Sequence, residues 1–388
     1  MAWVDESRLD DADALDRLDG RGALRSLASA GAQVRRALVA ADEAGMHRVG
    51  GGERPRTVLV AALGGSAVVG DVLELLTGPG SPVPVLCRHD APLPGWVGPL
   101  DLVVSVSQSG RGAGPVALAA EAARRGASLL TVGAADSPLA EAAARARGVH
   151  VETALPAPSS RTALWSLLTP VLVAADVLGL ADCPTSVLED VADTLDAVAE
   201  ECRPGSDAFV NPAKVLAVGL DGTMPTVLGD GPLTGVAALR CAQMLARTAR
   251  VPATHGALPH AAASVVATLD GPFGSGLTDA SAAGGAVGER DIFADPYLDG
   301  PSVPRLGVVA LRDPELEDDG RALADAVLAS AREAGAVVLE QEARPGHPVA
   351  RLASLVALTD FAATYLALGL GLDPTRSHHV TDLRDRTS

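Results

Sequence analysis

A chain of 388 residues that is 48% hydrophobic but only 2% aromatic, with a formal charge of −17, fits two domains with aliphatic cores. It lacks the Lys/Arg excess that would hold nucleic acid or an anionic membrane, so neither is expected as a partner. No apolar run reaches the roughly 18 residues of a membrane span, and the acidic start MAWVDESRLDDADALDRLDG has no signal-peptide core, so a cytoplasmic location is expected.

Taken in chain order, the stretch from Asp5 to Glu43 carries leucines at helical spacing between charges, and residues 1–50 read as a helical cover. From Thr57 the pattern alternates. TVLVAAL reads as a strand, SAVVGDVLELL as a helix, VPVLC and LVVSVS as strands, 115–125 as a helix, SLLTV as a strand, 138–147 as a helix and VHVET as a strand. Strands alternating with helices predict a parallel sheet covered on both faces, here spanning residues 51–155. Residues 156–208 read as a connector of two helices, TALWSLLTPVLVAADVLGL and SVLEDVADTLDAVAEEC. The alternation resumes over 209–388. KVLAVGL, PTVLGDG, SVVATL, RLGVVAL and AVVLEQ read as strands, interleaved with the helices GVAALRCAQMLARTA and GRALADAVLASAREAG. VLGDGPLTGVAALR stands where VAALGGSAVVGDVL stood, which reads as a diverged internal duplication. The Gly-, Ala- and Asp-rich stretch 271–301 has no periodicity and reads as a surface insertion. A final helix over about Pro348 to Leu370 leads to a polar tail with His378, His379 and Arg384. The expected fold class is therefore α/β, with three-layer α/β/α doubly wound parallel sheets in tandem.

Ligands of open parallel sheets bind beyond the carboxyl ends of the strands, where helix N-termini present free amides. Two loops have that form. Gly64, Gly65 and Ser66 follow the first strand, and Ser66 is expected to cap the next helix. Ser107, Ser109, Gly110 and Gly112 follow LVVSV and offer two hydroxyls and a turn of amides to a phosphate. GGSAVVG lacks the Gly-x-Gly-x-x-Gly spacing of a dinucleotide site, and Lys214, the only lysine, has no glycine loop before it, which excludes a Walker loop. Cys87, Cys183, Cys202 and Cys241 show no Cys-x-x-Cys spacing, and His378 with His379 has no i, i+4 partner. Neither a metal nor a disulfide is expected, and no cofactor.

LGGSAVVGD, SVSQSGRG, SSRTALWSLLTPVL and the pair ARVPA and LPH resemble the sugar isomerase (SIS) domain family, specifically the bifunctional phosphoglucose/phosphomannose isomerases with two SIS subdomains. The resemblance runs from about Val58 to the C-terminus. It implies flavodoxin-like subdomains, a homodimer with each site completed by the neighbouring subunit, and a hexose 6-phosphate bound between the subdomains. It also implies metal-independent conversion of glucose 6-phosphate or mannose 6-phosphate to fructose 6-phosphate through a cis-enediol.

Residue by residue, Gly64-Gly65-Ser66 matches the family's Gly-Gly-Ser against the sugar. Ser107 and Ser109 match the serines of its Ser-Tyr-Ser-Gly-Asn-Thr phosphate loop, with Gln108 for Tyr, Arg111 for Asn and Gly112 for Thr. Arg111 offers charge where the threonine hydroxyl is lost. Arg161 of SSRTAL matches the arginine that stabilises the enediolate. The catalytic groups depart from the pattern. ARTAR places Arg247 where the family has its glutamate base, and arginine has no basic form near neutrality. LPHAAASV places Ala263 under the family histidine, with His260 three positions earlier, and Arg384 stands for the C-terminal lysine. His255, His260, Glu340 and Glu342 are the candidate replacement bases, His260 foremost. Two functions follow: an isomerase with a relocated base, or a phosphosugar sensor that keeps the pocket without the chemistry.

Overall fold

The structure is a computed structural model that describes residues 3–52, 54–78, 80–153, 157–271, 273 and 304–387. The proposed surface insertion over 271–301 lies almost wholly outside the described residues. The chain divides into two compact units. The first comprises Asp19–Arg203, Gly346–Ala357 and Asp373–Ser388; the second comprises Met1–Leu18, Pro204–Pro345 and Leu358–Leu372.

The first unit is built on five parallel strands: β1 Val58–Ala62, β2 Val85–Arg88, β3 Leu102–Ser107, β4 Ser128–Gly133 and β5 Val149–Glu152. Their order is β2-β1-β3-β4-β5. Every residue of β1 and β3 is buried, as helices on both faces require. Val103, Leu118, Leu129 and Leu139 join one aliphatic cluster between sheet and helices. The helices Val68–Thr77, Ala113–Arg125 and Pro138–Ala146 follow β1, β3 and β4, as the sequence pattern predicts. The cover helix Ala30–Glu43 and the connector helices Leu164–Val177 and Thr185–Glu201 also form in this unit.

The second unit repeats the layout with four parallel strands: β6 Thr223–Gly229, β7 Thr254–Ala257, β8 Arg305–Arg312 and β9 Val337–Glu342, in the order β7-β6-β8-β9. The strand order matches that of the first sheet up to its fourth strand, which is what an internal duplication leaves. Three elements differ from expectation. KVLAVGL is not a strand: it lies in the helix Pro212–Gly219, because the Asn211 side chain accepts from the Ala213 and Lys214 amides and Pro212 opens the first turn. SVVATL is likewise helical within Ala262–Leu269, burying Val265 and Leu269 four residues apart. THGA, to which the sequence pattern assigns no element, is the edge strand β7, and its exposed residues gave no apolar signal.

Lys214 is a buried clasp. Its ammonium donates to the carbonyls of Leu9, Pro204 and Ser206 at 2.6, 2.8 and 2.7 Å, tying the start of the chain to the second unit. The helix Pro348–Gly369, whose apolar run is interrupted by Arg351 and Asp360, is long and apolar enough by length and composition to cross a membrane. It is nevertheless 94% buried inside the protein, as a core helix is.

Candidate functional site

In a sheet of order 2-1-3-4-5 the crevice for a ligand opens where the chain turns opposite ways from two neighbouring strands, here past the ends of β1 and β3. After β1 the backbone enters a tight turn at Gly64–Ser66, with Gly64 at φ +65°. Ser66 is buried, and its hydroxyl donates to the Leu63 carbonyl at 3.0 Å. The helix Val68–Thr77 has no side-chain cap, so the expected capping role for Ser66 is corrected. With its proton committed, Ser66 offers a ligand only lone pairs, which suits a sugar hydroxyl better than a phosphate.

Past β3 the two serines are poised the other way. Ser107 Oγ accepts from the Gly112 amide at 3.2 Å, and Ser109 Oγ accepts from the Arg111 amide at 3.3 Å. Each hydroxyl therefore keeps its proton to donate, as a phosphate oxygen requires. The helix Ala113–Arg125 starts immediately after, with Gly112 as its uncapped N-terminal residue. Arg111 lies exposed and donates to the Asp136 carbonyl at 3.1 Å, which holds its guanidinium at the rim of this loop.

Gly110 sets the loop's shape. Its φ is +64°, and a Cβ there would fall 2.1 Å from Ser137 Oγ. Ser137 in turn caps the helix Pro138–Ala146. Gly110→Ala is therefore expected to cost about 2 kcal/mol, from left-handed strain and a disturbed cap, and to weaken phosphate binding in parallel. Denaturant titration beside phosphate calorimetry checks this; unchanged stability would show that the turn tolerates a side chain.

A third segment, Ala157 to Thr162, closes on both loops. Gln108 Nε2 donates to the Ala157 carbonyl at 3.0 Å. A Cβ on Gly65 would lie 2.9 Å from Ser160 Oγ and 3.1 Å from Arg161 Cγ, so glycine is what lets the segment approach. Arg161 donates from Nη2 to the Pro374 carbonyl at 3.1 Å. Pro374 sits in a turn organised by Asp373: burial pushes its carboxyl up, but hydrogen bonds from Thr375 and the Arg376 amide outweigh that and hold it below its ordinary range. The structure thus gathers Gly64, Gly65, Ser66, Ser107, Ser109, Arg111, Gly112 and Arg161 at one end of the first sheet. Sequence reasoning missed Gln108, Ser160 and Pro374; the only signal for Gln108 was its departure from the family's tyrosine.

The other candidates belong to the second unit, except Arg384, whose side chain lies outside the described residues. His255 and His260 are exposed, on β7 and in the turn after it; Arg247 is exposed in the π-turn Leu245–Ala249, and Ala263 on the helix Ala262–Leu269. Glu340 is ion-paired with Arg312 at 3.5 Å and with Arg332. At the matching crevice of the second sheet, the buried Asp230 accepts from Thr234 Oγ1 at 2.9 Å and from the Asp313 amide at 3.0 Å, and faces Arg312 Nε at 3.3 Å. Burial raises the Asp230 carboxyl above its ordinary range against the pull of these hydrogen bonds. A carboxylate there repels the phosphate that the first crevice suits.

Residues 209–387 match the profile described as the bacterial phospho-glucose isomerase C-terminal SIS domain. The C-terminal part of the chain is thus similar to a SIS domain. Over 196 residues, half of the chain, it is 27% identical to a bifunctional phosphoglucose/phosphomannose isomerase of Caldicellulosiruptor bescii, and that match spans 57% of the relative's length. Its fold is like that of tagatose-6-phosphate ketose/aldose isomerase from Escherichia coli, with a TM-score of 0.58 and 15% identity over 95% of this chain and 97% of that one. It is also like a glucose-6-phosphate isomerase like protein from Thermus thermophilus, with a TM-score of 0.53 and 20% identity over 97% and 98% of the two chains. At these identities the SIS likeness to solved structures is one of fold.

Proposed function

We propose that this chain binds a hexose 6-phosphate past β1 and β3 and interconverts aldose and ketose forms of glucose or mannose 6-phosphate. The phosphate is held by Ser107, Ser109 and the amides that open the helix Ala113–Arg125, with Arg111 at the rim. The sugar runs along Gly64–Ser66 towards Arg161, whose fixed charge stabilises an enediolate. The observation that carries the reading is the pair of serine hydroxyls, each accepting a backbone amide and so left with a proton to give. A second reading, phosphosugar binding without turnover, is favoured by Arg247 in place of the glutamate base and by the ion pairs that occupy Glu340.

The test is thermal stabilisation by glucose 6-phosphate and mannose 6-phosphate beside an isomerase assay with both. A sugar phosphate at about 100 times its Kd should add about 2.7 kcal/mol to stability. Stabilisation with turnover supports the isomerase, and stabilisation without it the second reading. Absence of both overturns the phosphosugar pocket.

A further inference from the structure

The segment that carries Arg161 has no regular secondary structure between Ala157 and Thr162, so something must hold it. Within it the Ser159 carbonyl accepts from the Thr162 amide and hydroxyl, both at 3.1 Å, which folds a single turn. Ser159 Oγ is buried with no hydrogen-bond partner among the described residues, so the turn does not satisfy itself. Its two ends are pinned from outside. At one end Gln108 Nε2 donates to the Ala157 carbonyl at 3.0 Å. At the other, the Thr162 carbonyl accepts from Gln33 Nε2 at 2.9 Å and from Ser26 Oγ at 3.1 Å.

Gln33 is built for this task. It lies in the cover helix Ala30–Glu43 and is 2% exposed. Its amide nitrogen also donates to the Ser26 carbonyl at 3.0 Å, and its oxygen accepts from the Ser166 amide at 3.3 Å. A fully engaged side-chain amide in a buried setting has one orientation, so the atom it binds is fixed with it. Gln108 is flanked by Ser107 and Ser109, so the phosphate loop and the Arg161 segment are joined by one side chain.

We propose that Gln108 and Gln33 are positioning residues that clamp the two ends of the Arg161 segment and so set the distance between the phosphate loop and the guanidinium. The clamp rests on the phosphosugar reading of the pocket. It acts on the ligand's length: a hexose 6-phosphate touches both the phosphate loop and the Arg161 segment, whereas inorganic phosphate touches only the loop.

The test compares glucose 6-phosphate, mannose 6-phosphate and inorganic phosphate by calorimetry on the full chain. One neutral hydrogen bond is worth about 1 kcal/mol, so Gln108→Ala should weaken binding of the hexose phosphates about 5- to 10-fold and leave inorganic phosphate within about 2-fold. Gln108→Met keeps the length without the donor or any added charge and should match the alanine variant; Gln108→His keeps a ring N–H donor and should restore most of the affinity. Gln33→Met should give the same split where it folds, and the Gln108 series decides if it does not. Unchanged hexose phosphate binding in Gln108→Ala overturns the clamp, as does an equal loss for all three ligands, which would mark a collapsed phosphate loop. A wild-type chain that binds no hexose phosphate overturns the pocket itself, and the clamp with it.

Discussion

Arg161→Met is expected to lower kcat for hexose 6-phosphate isomerisation by about 10²- to 10³-fold while inorganic phosphate still binds as before. The expectation comes from where the guanidinium stands. Its stem packs at Gly65 on the turn that a bound sugar must pass, and its Nη2 is fixed by the Pro374 carbonyl at 3.1 Å. Methionine keeps an unbranched stem of similar reach and so preserves that packing, but it removes a charge that arginine holds at every accessible pH. A group that acts on developing negative charge shows in kcat rather than in KM. Arg161→Lys keeps the charge and loses the planar fork, so intermediate activity is expected. If kcat survives in Arg161→Met, the guanidinium does no electrostatic work. If the wild-type chain binds without turnover, the same substitution should appear as weaker hexose phosphate binding alone.

The distribution of serine and aspartate over the two sheets explains why one crevice and not the other is the candidate. Both sheets come from the same strand order, and both end their first strand in a small-residue turn followed by a helix. In the first unit that turn is Gly64-Gly65-Ser66, and the crevice is lined by hydroxyls and amides. In the second it contains Asp230, which bridges to the Asp313 amide and spends its lone pairs inside the protein. The two crevices thus carry opposite electrostatic fillings, and the phosphate proposed above belongs to the first.

The alternation of strands and helices from Val58 to Glu152 was legible because β1 and β3 are buried on both faces and read as unbroken apolar runs. The same rule misled at KVLAVGL and SVVATL. There, β-branched residues lie in short helices whose caps and four-residue burial spacing decide the outcome, and a run of apolar letters hides that spacing. β7 was invisible because it is a polar edge. Ser107 and Ser109, singled out from the loop after LVVSV, and Arg161, singled out by the resemblance, lie at one end of the first sheet. The clamp was not legible. Gln33 and Thr162 are 129 residues apart, and Arg161 and Pro374 are 213 apart, and no local pattern records such contacts. Ser66 shows a subtler limit: the residue type allows a cap, but the geometry turns the hydroxyl back to Leu63.

Asp360→Ala is expected to destabilise the second unit by about 3–5 kcal/mol, read as the loss of unfolding free energy in a denaturant titration. Asp360 breaks the apolar run of the helix Pro348–Gly369, and it can do so because it faces Arg240 of the helix Pro232–Met244. Arg240 Nε meets Oδ1 at 3.1 Å and Nη2 meets Oδ2 at 2.8 Å, a forked pair whose members are 1% and 5% exposed. Taking both charges out of water is costly, so the pair adds little to stability over a well-packed apolar one. Removing the carboxylate alone is a different matter, since the guanidinium stays buried and loses the anion opposite it. The double variant Arg240→Met with Asp360→Leu removes both charges and keeps the volume, so it should recover most of the loss. That recovery distinguishes a stranded charge from a cavity: if the double variant is as unstable as Asp360→Ala, packing rather than charge sets the cost at this position.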